Sequence, residues 1–422
     1  MTTYNFDKIT NRKGTNCLKY DFAVERGKPA DVLPLWVADM DFPVSEEISK
    51  SLHAAVEHGI YGYTQPKDAY YNAVMNWMER NHNWKTEREW IVKTPGVVFA
   101  LGAAVKAFTD PGDAILIQNP VYYPFTNIIR DNDRKVVDNT LLYHPVTERT
   151  VVSVTTDDAS EQQIHNVGTV SPAYQIDFED FERKIEQEHV KLFILCNPHN
   201  PVGRVWTVEE LQKLGEICLR HHVIVVSDEI HNDFVYPGYE HTVFANVDPR
   251  FAEFTVTCTA PSKTFNLAGL QISNIFIPNE NLRKAFKTEI DRTGYDEPNA
   301  LGVVACEAAY RAGEDWLDQL KAYLLKNLNF LRDFLQEKLP QIHLVEPEGT
   351  YLVWLDCSEL GITGKELDQF IVDKAGLWLD GGSMFGPSGA AFQRVNIACP
   401  QATLELALNK LKAAVEGYGN HL

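Results

Sequence analysis

The chain lacks any run of about 18 apolar residues, the minimum for a membrane-spanning helix. Its first residues, MTTYNFDKITNRKGTNC, lack the apolar core of a secretory signal. No membrane association is expected, and the expected location is cytoplasmic. Cysteine is sparse: seven residues, at 17, 196, 218, 258, 306, 357 and 399, scattered, odd in number and free of C-x-x-C pairs. That spacing suits neither a disulfide framework nor a zinc site, so reduced thiols and no metal are expected. Basic residues are also in short supply. There are 39 Lys and Arg against 58 Asp and Glu, a formal charge of −19. Nucleic acids and anionic membranes require a basic face, so neither is an expected partner. Internal repeats and low-complexity tracts are absent.

What is present reads as globular protein, 45% hydrophobic and 23% charged. At 422 residues it is too long for one small core, and two domains are the natural expectation. Short apolar, β-branched runs recur between about residues 90 and 277: WIV (90–92), AILI (114–117), KLFILC (191–196), VIVV (223–226), FTVTC (254–258) and ISNIFI (272–277). Alternating with helical stretches, they predict an α/β sheet covered on both faces. From about 293 onward the texture changes to long amphipathic helices followed by YLVWLDC, GLWLD and FQRVNIAC, which predicts a smaller α+β domain. In FQRVNIA, alternation puts Phe392, Arg394 and Asn396 on one face, with Val395 and Ile397 on the other. Residues 144–172, rich in Thr, Ser and Asp, are expected to form a surface loop or hairpin. Gly381, Gly382, Gly386 and Gly389 follow no βαβ start and are expected to serve turns.

The residues after the apolar runs carry the chemistry. In open α/β sheets ligands sit beyond the carboxyl ends of the strands. Here those ends lead to a Gly-led helix start, to Tyr122, to NPHNPVGR, to DEIH and to PSK. Lys263 stands where burial would lower the pKa of its amine and suit it to form a Schiff base with an aldehyde. Pyridoxal phosphate is the usual such aldehyde, and its sites pair the lysine with an acid for the ring nitrogen. Asp228, ending the run VIVVS, suits that part, although an Asp after a strand is often only a cap.

Nine segments carry a resemblance: LPLWVADMDF (33–42), IYGYTQP (60–66), TPGVV (94–98), NPVYYPF (119–125), NPHNPVGR (197–204), SDEIHNDF (227–234), SKTFNLAGLQ (262–271), EGTYLVWLD (348–356) and FQRVNIACP (392–400). Over nearly its full length the chain resembles fold-type I pyridoxal-phosphate enzymes of the aspartate aminotransferase superfamily, and more narrowly the MalY/PatB group of cysteine C–S lyases. The resemblance implies a large domain (51–292) with a mostly parallel seven-stranded sheet between helices. A smaller α+β domain would be built from 293–422 together with the N-terminal segment 1–50.

It further implies that Lys263 bonds the cofactor aldehyde, Asp228 pairs with the ring nitrogen and Asn200 reaches the ring oxygen. Tyr122 would stack on one ring face, near the reacting bonds and the substrate, and Ile230 on the other. The phosphate would lie at the helix start after Gly96, on the backbone N–H groups of Val97 and Val98, with Ser262 adding a hydroxyl. Tyr63 would reach the phosphate of a second subunit in a homodimer. Arg394 would hold the α-carboxylate of an amino-acid substrate, with Asp39 near the substrate mouth or acting as a cap.

Three departures from the common aminotransferase pattern, His231 in the place of a Tyr, Gln271 in that of an Arg and Ala260 in that of a Ser, fit the C–S lyase group. The expected reaction is β-elimination from a cysteine S-conjugate such as cystathionine. The alternatives are an aminotransferase acting on an L-amino acid and a 2-oxo acid, and a cofactor-binding regulator acting by protein contact.

Overall fold

The computed structural model describes residues 2–145, 151–153, 165–167 and 172–419. Seven strands form the central sheet: β1 (Ile91–Thr94), β2 (Ala114–Ile117), β3 (Lys135–Asp138), β4 (Leu192–Cys196), β5 (Ile224–Asp228), β6 (Thr255–Thr259) and β7 (Ser273–Phe276). Their order is β1-β7-β6-β5-β4-β2-β3. All pairings are parallel except those of β7, which runs antiparallel to both β6 and β1. Because β7 is flanked on both sides by opposed strands, β1 points the same way as β6. Six carboxyl ends therefore open on one edge of the sheet. AILI and LFILC are buried along their whole length, as expected of strands covered on both faces. Helix α1 (Val97–Phe108) follows β1 directly, burying Val97, Ala100, Leu101, Ala104 and Val105.

A second sheet joins β8 (His343–Val345), β9 (Leu352–Asp356), β10 (Asp380–Gly381) and β11 (Phe392–Asn396) in the order β8-β9-β11-β10, all antiparallel. Two helices, α2 (Ala300–Ala312) and α3 (Glu314–Lys338), precede it. The segment Leu33–Pro34 pairs in parallel with Leu377–Trp378, and the Asn396 amide N–H donates to the Leu35 carbonyl at 2.9 Å. The early chain is thereby stitched to this sheet. Within 144–172, Val151–Ser153 and His165–Val167 pair antiparallel, a hairpin pairing; the rest of that stretch is largely outside the described residues.

Gly382, Gly386 and Gly389 build turns, as expected, whereas Gly381 is instead a strand residue of β10, paired with Gln393. Two 3₁₀ turns, Gly382–Phe385 and Pro387–Gly389, press together so closely that a Cβ on Gly382 would lie 2.0 Å from the Gly389 carbonyl oxygen and 2.6 Å from that of Phe392. Both obstacles are backbone. Gly382→Ala should therefore cost about 1–3 kcal/mol of unfolding free energy through overpacking. Urea denaturation measures it, and an unchanged midpoint would contradict the packing.

Candidate active site

Lys263 sits in a single helical turn, Pro261–Thr264, directly after β6. The next residue anchors the turn: the Thr264 hydroxyl donates to Asp233 at 2.5 Å, and Asp233 also accepts from the Trp77 indole and bonds His82, each at 3.0 Å. The Lys263 amine donates to the Ala38 carbonyl at 2.8 Å. That carbonyl is held in place by its neighbours. Asn396 Nδ2 donates to the carbonyls of Val37 and Asp39, both at 2.6 Å, and the Tyr351 phenol donates to Ala38 O itself at 3.2 Å. Burial lowers the Lys263 pKa to about 8, with the Arg394 charge adding to the fall; the carboxylates of Asp39 and Asp228 oppose it. A lysine near 8 has a substantial neutral fraction at neutral pH, which suits both nucleophile and base.

Asp228 ends β5 and is 5% exposed. Burial pushes its carboxyl up to about 7, opposed by the Ile230 N–H, which donates to it at 3.2 Å, and by the Lys263 charge. Among the described residues it has no ion-pair partner. His231 is buried with Nδ1 unpartnered. Burial and then the charges of Lys263 and Arg394 push its pKa well below the usual range, so the ring is neutral. Its ring lies 5.9 Å from that of Tyr351.

Arg394, in the middle of β11, faces Trp354 on one side and Asp380 on the other in the strand register. It is 3% exposed. Nη1 donates to Asn200 Oδ1 at 2.9 Å, and Nη2 donates to the Trp36 carbonyl at 3.0 Å and to the Asp380 carboxylate. Nε is buried with no partner among the described residues. One strong donor is thus left over in a site already holding Asn200, which matters because an unpaired buried donor is costly unless a ligand takes it.

Tyr122 and Ile230 pack on the same apolar cluster, which also contains Val97, Ile117 and Cys258. Burial raises the Tyr122 phenol, and Arg394, Asp228 and Asp380 are close enough to act on it. Gly96 caps α1 with no side-chain hydrogen bond, and a Cβ built there would meet nothing within 4 Å. The Val97 and Val98 amides are the first of this helix, where N–H groups have no intrahelical partner. Ser262 stands beside Lys263, half-buried.

The side chains of Asp39 and Tyr63 make no hydrogen bond to Lys263. Both Asp39 oxygens accept from Arg12, at 2.6 and 3.2 Å, so within this chain the carboxylate is already engaged and acts on Lys263 through its charge. Tyr63 is 95% exposed, in the connection between the helices Glu46–His58 and Asp68–His82, beside the exposed Ile60 and Tyr61. It is not brought to the lysine of its own chain.

Sequence reasoning gave no part to Tyr351, Asp380, Arg12 or the Ala38 carbonyl. Tyr351 lies inside a quoted segment, EGTYLVWLD. The Asp380–Arg394 pairing is a product of antiparallel register, which local spacing does not show.

This donor set fits pyridoxal phosphate: a lysine with a depressed pKa, a buried carboxylate lacking a cation and an open helix N-terminus stand at one sheet edge. The first can bond an aldehyde, the second can hold a protonated ring nitrogen, and the third suits a phosphate.

The chain is 44% identical to a protein named cystathionine beta-lyase PatB of Bacillus subtilis (strain 168), covering 97% of this chain and 100% of that one. It is 30% identical to protein MalY of Escherichia coli (strain K12), covering 98% and 99%. Cystalysin of Treponema denticola, whose crystal structure contains a pyridoxal 5′-phosphate cofactor, superposes with a TM-score of 0.89 at 36% identity over 99% of this chain and 100% of that chain. The model of the family "Aminotransferase class I and II" matches residues 30–411, and it is to this family, in the branch of PatB and MalY, that the chain belongs.

Proposed function

We propose that the protein is a pyridoxal-phosphate-dependent C–S β-lyase that converts cystathionine or a related cysteine S-conjugate to a thiol, pyruvate and ammonia. One observation carries most weight: Lys263, with its amine near pKa 8, stands at the same sheet edge as the cation-less carboxylate of Asp228. The named activities of PatB and of related C–S lyases support the same reaction class.

In this proposal Asp228 pairs with the ring nitrogen, Asn200 with the ring oxygen, and Tyr122 and Ile230 flank the ring. The amides of Val97 and Val98, beyond Gly96, and the Ser262 hydroxyl receive the phosphate. Bound cofactor supplies an electrophilic carbonyl and a protonated ring that accommodates the electron pair left when the Cα–H bond breaks.

The chain does the rest. Arg394 offers Nε to the substrate α-carboxylate, while Asn200, Asp380 and the Trp36 carbonyl hold its two Nη atoms and so fix the plane of the guanidinium. Lys263 Nζ takes the Cα proton. As the Cβ–S bond breaks, that proton is available to the departing sulfur. His231, being neutral, adds no second cation to compete with the ring nitrogen for the Asp228 carboxylate.

The active unit is proposed to be a homodimer, with the exposed Tyr63 of each subunit completing the phosphate site of the other, and its setting cytoplasmic. We also propose the division into 51–292 and 293–422 with 1–50. No described helix is long and apolar enough to cross a membrane.

Purified holoenzyme should release pyruvate and free thiol in equal amounts from L-cystathionine. Amino transfer to a 2-oxo acid with no pyruvate would replace the lyase reading by an aminotransferase.

A further inference from the structure

A cavity of about 210 Å³ lies alongside the Arg394 anchor. Two of its walls are shared with that anchor. Asp380 is the ion-pair partner of Arg394, and Trp36 supplies the carbonyl that Arg394 Nη2 reaches. Tyr123, the neighbour of Tyr122, forms a third wall. The cavity therefore adjoins the residues that hold Arg394, the proposed anchor of a substrate's α-carboxylate. At about 30 Å³ per water-sized unit it has room for roughly seven such units, more than a methyl group needs.

Its lining has an unusual balance. The indoles of Trp36 and Trp378 stack at 4.3 Å and 13° to give an apolar face. Two cations, Arg26 and Lys28, also line it, and the Arg26 guanidinium sits 5.3 Å from the Trp36 ring centre. Neither cation is ion-paired among the described residues, in a chain whose acids outnumber its Lys and Arg by 19. Of the cavity's acids, Asp380 is paired with Arg394, while Asp368 accepts from Gln393 Nε2 at 2.8 Å and has no cation partner among the described residues.

The Trp36 indole N–H, on a side chain in this wall that is more than nine-tenths buried, has no acceptor among the described residues. An unsatisfied buried donor costs free energy that an incoming acceptor would recover. Two unpaired cations and one orphaned N–H around an apolar floor match one kind of guest: an alkyl chain ending in a carboxylate.

We infer that this cavity seats the sulfur substituent of the substrate and that Arg26, Lys28 and Trp36 select cysteine S-conjugates whose substituent carries a carboxylate. The inference rests on the lyase reading for its placement of the substrate, and it names the substrate class for that reaction. Cystathionine belongs to the class, as do S-carboxyalkyl cysteines; S-alkyl cysteines do not.

The test compares S-(2-carboxyethyl)-L-cysteine with its amide, a pair of nearly equal size, in wild-type holoenzyme and in the Arg26→Gln/Lys28→Gln double variant. Wild type should prefer the acid over the amide about 10- to 50-fold in kcat/KM for pyruvate release, through KM, a size expected for charged hydrogen bonds at a partly exposed site. In the double variant that ratio should fall below about threefold by the same measure. Both substrates are measured on the same preparation, so a loss of folded enzyme cancels in the ratio. No preference in wild type, or an unchanged preference in the variant, overturns the inference. If neither conjugate yields pyruvate, the lyase reading fails instead. The ratio of calorimetric Kd values for the two conjugates then decides the cavity's role by the same thresholds.

Discussion

Lys263→Ala is expected to lower kcat for thiol and pyruvate release by about 10⁴-fold or more, the combined loss of a covalent anchor and a general base. The fold should survive, because what fixes this turn is the neighbouring residue: Thr264 keeps its bond to Asp233, which Trp77 and His82 hold in turn. The variant gives up the bond to the Ala38 carbonyl, but the Tyr351 phenol still donates there. It also removes a buried amine. The folded pKa, about 8, is below the ordinary 10.5. Below pH 8 the folded chain must therefore keep a charge in a site that disfavours it, and that penalty fades only as pH rises from 8 toward 10.5.

Apoprotein carrying alanine should thus melt no lower than wild type at pH 7, while its activity is nearly abolished. Added small primary amines should restore part of the turnover, increasingly so at higher pH as they lose their protons. Undiminished activity in the variant would remove the lysine from the chemistry and favour a regulator that merely binds the cofactor. A variant that is inactive but also destabilised by several kcal/mol would mean that the turn, and not the amine, had been lost.

The framework of this site was legible because it rests on contiguous runs. AILI, LFILC and TVTCT are buried along their whole length and IVVSD at all but its first position, and a buried parallel strand favours apolar residues on both faces. The reactive residues follow those runs directly, so strand ends and chemistry appear together along the chain. β3, Lys135–Asp138, gave no such signal. It is the edge strand beside β2, and KVVD with its exposed lysine does not stand out from a polar loop.

Arg394 shows the limit of pattern reading. Alternation in FQRVNIA leads one to expect an arginine directed away from the packed side, yet every residue of β11 is buried. The reason is tertiary: Asn200 and Asp380 neutralise and bind the guanidinium, and the stretch around Trp36 covers it. These partners lie far away in sequence. The Ala38 carbonyl is a different case, since a backbone oxygen leaves no trace in side-chain identity. Tyr63 completes nothing within its own chain, where it is 95% exposed, and the part proposed for it lies in a second subunit.

Asp228→Asn should cut kcat by about 10³-fold, the scale of losing one preorganised electrostatic partner, and it should do so while making the apoprotein more stable. The two effects share one cause. In the folded chain the carboxyl titrates near pH 7 instead of its ordinary 3.8, because burial disfavours the anion and one backbone N–H does not compensate. Below pH 3.8 both folded and unfolded chains are protonated and nothing is lost. Between 3.8 and 7 the unfolded chain ionises while the folded chain holds its proton, so the folded state loses stability as pH rises. Above 7 the penalty is complete, with an upper figure of about 4 kcal/mol.

Asparagine has nearly the same shape and carries no charge, so it escapes this dependence. Urea titrations of apoprotein at pH 5 and pH 8 should show the variant gaining stability relative to wild type over that interval, the difference isolating Asp228 from the other buried groups that titrate there, with the variant the more stable at pH 8. Binding of the cofactor should then reverse the order, because a protonated ring nitrogen gives the buried carboxylate the cation it lacks and gives asparagine nothing of equal strength. An apo variant less stable than wild type at pH 8 would mean that Asp228 is already satisfied by the protein itself. It would then be a structural cap, and the site would have no electron sink to offer.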